Sequence, residues 1–307
     1  MKAFLLRFLG FSLPVLLLLL GLELLQRSLP NHYERKKALL EQQAASLHTL
    51  ILGSSHTYLG IAPDLLDGPA YNMASTAQTL YYDLFLLERY LDRMPSLRTV
   101  MVPVSYSSLG AESDRNPGDY NKSYHYAYFF GTKDFVKPLS ARRFSLTALF
   151  TVKGSVDRAW GYFMEGDSLI EFRPDGWFAT EEQRDLLKNA AESAPFHDRY
   201  YDERLHGVNL ARLAAIVSRC RMRGVEPVLI SMPMHPAYMR QVRADRYAYM
   251  TQAADSLSRA HGVRYLNFTE DPRFEDADFF DSNHLRRQGA EKLTRILRDT
   301  LARPAGE

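Results

Sequence analysis

From about residue 50 to the C-terminus, short apolar runs alternate with stretches of helical periodicity, and this alternation restricts the possible fold more than any other feature. The runs Leu50-Ile51-Leu52, Tyr71-Asn72-Met73-Ala74, Val100-Met101-Val102-Pro103-Val104, Val228-Leu229-Ile230 and Tyr265-Leu266 have the length of buried strands. Leu80, Leu84, Leu87 and Leu91 predict one helix face, and Leu210, Leu213, Ala214, Val217 and Cys220 predict another over 208–222. A helix over 240–261 and a last one with Leu293, Ile296, Leu297 and Leu301 facing inward complete the pattern. Strands separated by helices predict an α/β fold of three layers, α/β/α, with a mainly parallel sheet covered on both faces. Ligands of such sheets bind at the carboxyl ends of the strands.

Two motifs fall at those ends. The first run leads into Gly53-Ser54-Ser55. A sharp strand-to-helix turn there would hold a hydroxyl clear of the sheet, beside backbone N–H groups able to stabilise an oxyanion. Near the other terminus stands Asp281-Ser282-Asn283-His284. An acid and a histidine three residues apart can share one turn, so the carboxylate can orient the imidazole. The order Ser55, Asp281, His284 therefore reads as nucleophile, orienter and base.

Taken together, these residues resemble the SGNH (GDSL-like) hydrolase superfamily, whose sheet is flavodoxin-like. Its first block, Gly-Asp-Ser with a later Gly, matches Gly53-Ser54-Ser55 and Gly60; its last, Asp-x-x-His, matches Asp281 and His284. The similarity covers roughly 46–106 and 205–302. The Gly-Ser-Ser variant behind an apolar N-terminus looks most like the exported, membrane-anchored branch, with the alginate O-acetyltransferases and the protein that aids D-alanylation of teichoic acids. The resemblance implies catalysis by Ser55, Asp281 and His284, with the Ser55 and Ala74 N–H groups as oxyanion donors. Ala74 stands where the second block has Gly, and Ser105-Tyr106-Ser107-Ser108 stands where the third has Asn. Ser54, His56, Ser105, Tyr106 and His235 are candidate pocket residues. The implied reaction is O-acyl transfer to, or removal from, a cell-envelope polysaccharide. The implied partners are the glycan acceptor and a multi-span membrane O-acyltransferase. The rival expectations are a plain esterase and a non-catalytic scaffold that keeps the fold.

Phe8 to Leu25 is almost wholly apolar and as a helix reaches roughly 27 Å, enough for a bilayer core. No Ala-x-Ala follows it, so an uncleaved single-pass signal anchor over 1–30 is expected. Basic residues flank both ends, Lys2 and Arg7 before and Arg27, Arg35, Lys36 and Lys37 after. Their count does not favour export. The resemblance is what places the remainder on the periplasmic side of a bacterial inner membrane. A polar stalk is expected over 31–47, then one domain over 48–307 with an aromatic-rich insertion at about 107–204. The insertion contains Tyr124, Tyr126, Tyr128, Trp160, Phe163 and Trp177, most of them read as its own small core.

Several classes are disfavoured. A net charge of +2 argues against bulk nucleic-acid binding. One cysteine, Cys220, allows no intrachain disulfide and reads as inert core. Nothing has metal-ligand spacing and no glycine-rich phosphate loop is present, so no cofactor is expected.

Overall fold

The structure, a computed structural model, describes residues 1–112 and 120–303. Residues 113–119 of the expected insertion, and 304–307 of the expected domain, lie outside the described residues. The chain divides into two compact units, one of Met1–Ala38 with Pro117–Glu171, the other of Leu39–Asn116 with Phe172–Glu307.

The first unit is helical. A helix over Lys2–Ser28 contains a stretch, Gly10–Ser28, long and apolar enough to cross a membrane, with Leu16, Leu17, Leu18 and Leu20 exposed. Asn31 Oδ1 then accepts from Tyr33 N and Glu34 N (2.9 and 3.3 Å), starting the helix His32–Gln43. Tyr33 stacks on His125 and Phe129 of the helix Tyr120–Phe130. Segment 31–47 is therefore not a free stalk: Lys36, Leu40 and Leu47 in it are buried.

The second unit holds a five-stranded parallel sheet. Its strands are β1 (Thr49–Ile51), β2 (Ala70–Asn72), β3 (Thr99–Pro103), β4 (Glu226–Ser231) and β5 (Arg264–Asn267), in spatial order β2-β1-β3-β4-β5. On one face Ile51, Met101, Val228 and Ile230 join a core with Ala290, Leu293 and Leu297 of the helix Arg287–Leu301. Their alternates Leu50, Val100, Val102 and Leu229 are equally buried, as strands covered on both faces require. The α/β expectation thus holds, and each expected strand is present within a residue or two.

Two local readings change. A helix does not run from 240; a short one, Pro236–Met239, comes first and the long one is Ala244–His261. His235 Nδ1 accepts from Ala237 N and Pro236 takes the first helical position, so a helix starts early and ends early. An antiparallel pair, β6 (Phe279–Asp281) and β7 (His284–Leu285), also frames the second motif, where only a turn was expected.

In the helix Leu80–Tyr90 the inward stripe contains Asp83, while Leu84 is half-buried. The leucine spacing alone missed this because Asp83 has a buried task. Its Oδ1 accepts from Gly53 N (2.8 Å) and Gln78 Nε2 (2.7 Å). Burial pushes this carboxyl up to about 7, against the opposing pull of those two bonds. A folded-state pKa above the unfolded value means the native state holds the proton longer. The associated stability is complete at low pH and is lost as pH rises from about 4 to about 7. Asp83→Asn, which keeps an acceptor for Gly53, should remove this slope. The urea midpoint of the variant should overtake that of the wild type as pH rises through that window; a constant difference between the two would refute it.

Candidate active site

β1 ends at Ile51, and the chain turns through Leu52-Gly53-Ser54 into the helix Ser55–Gly60. Gly53 has φ +114°, and a Cβ there would lie 2.0 Å from Pro103 Cγ and 2.8 Å from Thr57 Oγ1. Only glycine satisfies both the backbone angle and the space. Thr57 Oγ1 donates to Leu52 O (2.8 Å), and Asn72 Nδ2 at the end of β2 donates to Thr57 O and Ile61 O. Trp177 Nε1 donates to Leu59 O (2.8 Å). The short helix is thus pinned by groups from outside it, since six residues are too few to be stable alone.

Ser55 Oγ lies 2.7 Å from His284 Nε2, and His284 Nδ1 lies 2.8 Å from Asp281 Oδ1. The same Asp281 oxygen accepts from the backbone N–H groups of Asn283 and His284, each at 3.0 Å. Burial alone would raise the Asp281 pKa. The His284 hydrogen bond and charge and the two backbone donors outweigh it and hold the carboxyl below its ordinary value. Ser282 locks the turn from the outside, its Oγ donating to Asn189 Oδ1 (2.6 Å). Ser55 and His284 are both part-exposed, so the pair is reachable from solvent.

Two further histidines line this pair. His56 stacks on His284 with ring centroids 5.0 Å apart, and His197 meets His56 edge-on at 6.5 Å. His56 Nδ1 lies 3.3 Å from Ser54 Oγ, and its Nε2 lies 3.1 Å from Asn283 Nδ2. Asn283, between the acid and the histidine of the second motif, is buried against His56. His197 Nδ1 lies 2.7 Å from Tyr238 Oη. Burial, with the charge of His284 and then His197, drives the His56 pKa far below the usual range. Burial and the same His284 charge bring His197 down to about 4. Both rings are therefore neutral near pH 7, and Asp281 is the charge facing His284. His197 has no neighbouring motif in the sequence that could have flagged it, and Asp83 had only its place in an apolar stripe.

The other candidates are committed elsewhere. Ala74 N donates to Asn72 Oδ1 (3.1 Å), so in this conformation it is not open to an oxyanion. The first-turn N–H groups of the helix beginning at Ser55 have no side-chain cap, which leaves the Ser55 N–H as the available donor. Tyr106 Oη donates to Asp198 Oδ1 and accepts from Arg243 N (3.1 Å). Ser105 Oγ pairs with Ser108 Oγ at 2.9 Å. His235, besides capping its helix, bonds Asp276 through Nε2 (2.9 Å), and its N–H donates to Ser282 O (3.0 Å). Its place is structural support behind the Asp281–His284 turn. Among the described residues no group of His, Cys, Asp and Glu has a metal-holding arrangement.

No family model matches the sequence, and no curated protein matches it. Among solved structures the chain is similar to a GDSL-like lipase from Bacteroides thetaiotaomicron VPI-5482, at 9% identity and a TM-score of 0.41 over 88% of this chain and 98% of that one. It is also similar to a catalytic mutant of Axe2, an acetylxylan esterase from Geobacillus stearothermophilus, at 11% identity and a TM-score of 0.38 over 83% and 93% of the two chains. Similarity at these levels carries no residue role or substrate across.

Gly53→Ala tests the turn. Left-handed strain and overpacking against Pro103 together should cost roughly 2–6 kcal/mol. Urea unfolding should show a clear loss of stability, and a neutral outcome would mean that the turn relaxes freely.

Proposed function

We propose that this chain is a membrane-anchored serine enzyme of the SGNH type, acting outside the cytoplasm, that moves an O-linked acyl group onto or off a cell-envelope polysaccharide. The observation that carries the catalytic part is the unbroken chain from Ser55 Oγ through His284 to Asp281, at 2.7 and 2.8 Å. In it Ser55 Oγ attacks the carbonyl carbon of an acyl ester while its proton passes to His284 Nε2. Asp281 keeps the Nδ1 proton in place and stabilises the imidazolium. The tetrahedral oxyanion faces the Ser55 N–H. As it collapses, the alcohol leaves with the proton from His284 and the acyl group stays on Ser55. His284 then deprotonates a sugar hydroxyl or a water, which takes the acyl group and frees Ser55. The apolar helix Lys2–Ser28 supports the anchor; extracytoplasmic placement and a membrane O-acyltransferase supplying the donor acyl group are parts of the same reading that rest on the resemblance.

A scaffold reading draws on one specific observation: the Ala74 N–H is occupied, which leaves the oxyanion with few donors. One missing donor is typically worth about 2.7–4 kcal/mol. This suits a slow transferase or a protein that has stopped catalysing.

The two separate by chemistry. The full-length protein in detergent should hydrolyse a short-chain aryl ester slowly and react with a fluorophosphonate at Ser55. Ser55→Ala should abolish both, and His284→Ala should lower turnover by at least about 10²–10⁴-fold. A folded wild type without labelling or turnover, in cells whose glycan O-acylation is unchanged by Ser55→Ala, would leave only the scaffold. For placement, alkaline phosphatase fused to the C-terminus should be active in a bacterial host. An inactive phosphatase there, with an active cytoplasmic reporter at the same position, would refute export.

A further inference from the structure

Within the first unit, the helix Val152–Trp160 faces the wrong way for a soluble protein. Val152, Val156 and Trp160, four residues apart, form one stripe and are each more than half exposed. Phe163 and Met164 in the following turn, and Phe144 before it, extend the stripe and are about 60–65% exposed. On the other side Ser155 is fully buried and Arg158 is half-buried, while Lys153 and Asp157, paired at 2.7 Å, flank the stripe in solvent. A surface helix ordinarily turns its apolar stripe inward.

What the buried side touches locates the stripe. Ser155 O accepts from Gln26 Nε2 (2.9 Å), Arg158 Nη1 donates to Gln26 Oε1 (2.8 Å), and Arg158 Nη2 donates to Pro30 O. Glu23 accepts from Ser145 Oγ and from the N–H groups of Leu146 and Thr147, at 2.8, 3.2 and 2.9 Å. These contacts, to Glu23, Gln26 and Pro30, lie in the last turns of the apolar stretch Gly10–Ser28 or just past it. That is the level at which hydrocarbon gives way to headgroups if the helix spans a bilayer, and tryptophan favours that level. Basic groups accompany the stripe there: Arg27 Nη2 donates to Phe144 O (3.4 Å), and Arg142 and Arg143 immediately precede Phe144.

We infer that the stripe Phe144, Val152, Val156, Trp160, Phe163 and Met164 is a second membrane contact, lying in the boundary between headgroups and acyl chains of an anionic bilayer beside the spanning helix. It rests on the reading that Lys2–Ser28 spans. Apolar side chains of such an in-plane helix enter the boundary by about 5–10 Å, and arginines beside it meet anionic headgroups. Glu23, an acid inside the apolar stretch, has its carboxylate occupied by the start of the helix Leu146–Phe150.

The chain has two tryptophans, and Trp177 is fully buried, so Trp160 reports on the stripe. The full-length protein is reconstituted in phosphatidylcholine–phosphatidylglycerol vesicles whose acyl chains are brominated near the headgroup. Part of the tryptophan emission should be lost relative to unbrominated vesicles, and that loss should vanish in Trp160→Phe. An alkaline carbonate wash, run in parallel, tests the span itself. Protein retained after the wash but with Trp160 unquenched overturns the second contact and leaves the anchor standing. Protein released by the wash overturns both. Unquenched Trp160 together with cross-linking between chains through Val156→Cys would assign the stripe to a second copy instead, which also overturns the lipid contact.

Discussion

The hydrogen bond from Gly53 N–H to the buried Asp83 carboxyl holds the turn on which the rest of the site depends. It ties the strand-to-helix corner to the helix Leu80–Tyr90, while Pro103 closes the space above Gly53. With the corner fixed, Ser55 can leave the sheet edge in only one direction. A burial that raises the Asp83 pKa is tolerated here because the acceptor fixes a corner that no apolar side chain could fix.

The second half of the site is assembled differently. Asp281 collects three donors on one oxygen, two of them backbone N–H groups of its own turn. The imidazole orientation is thus set by local geometry before any long-range packing acts. Long-range support arrives from behind, where Asn189 holds Ser282 and the His235 N–H holds the Ser282 carbonyl. Neither contact touches the Ser55–His284 pair, yet each limits how far the turn can shift. Displacements of about 1 Å are enough to weaken catalysis strongly.

The electrostatics around His284 follow from stacking and burial. A charged His56 at 5.0 Å would oppose formation of the His284 imidazolium, and burial keeps it neutral. His197 adds a second neutral ring. The lowered Asp281 pKa completes the arrangement, because the carboxylate stays charged where the imidazole needs it.

The sequence alone determined the layer order and the chemistry at its ends. Apolar runs and period-3.6 patterns respond to burial, which is local in the chain, so the strands and the Ser55, Asp281 and His284 motifs were legible directly. The glycine at 53 was equally legible as a turn, though not as a position closed by Pro103. Other features depend on pairings between distant residues, and periodicity holds no record of those. Asp83 occupies a stripe that leucine spacing assigned to Leu84 because its partner lies thirty residues earlier, at Gly53. His197 joins the histidine cluster from a segment read only as an insertion. Ala74, chosen by position in a motif, lost its N–H to Asn72 Oδ1, two residues away and invisible to motif matching. The outward stripe of Val152, Val156 and Trp160 has the spacing of any amphipathic helix. Which side of it faces protein was decided only when Gln26 and Pro30 claimed Ser155 and Arg158, since a repeat gives an angle around the helix and not the neighbour that fills it.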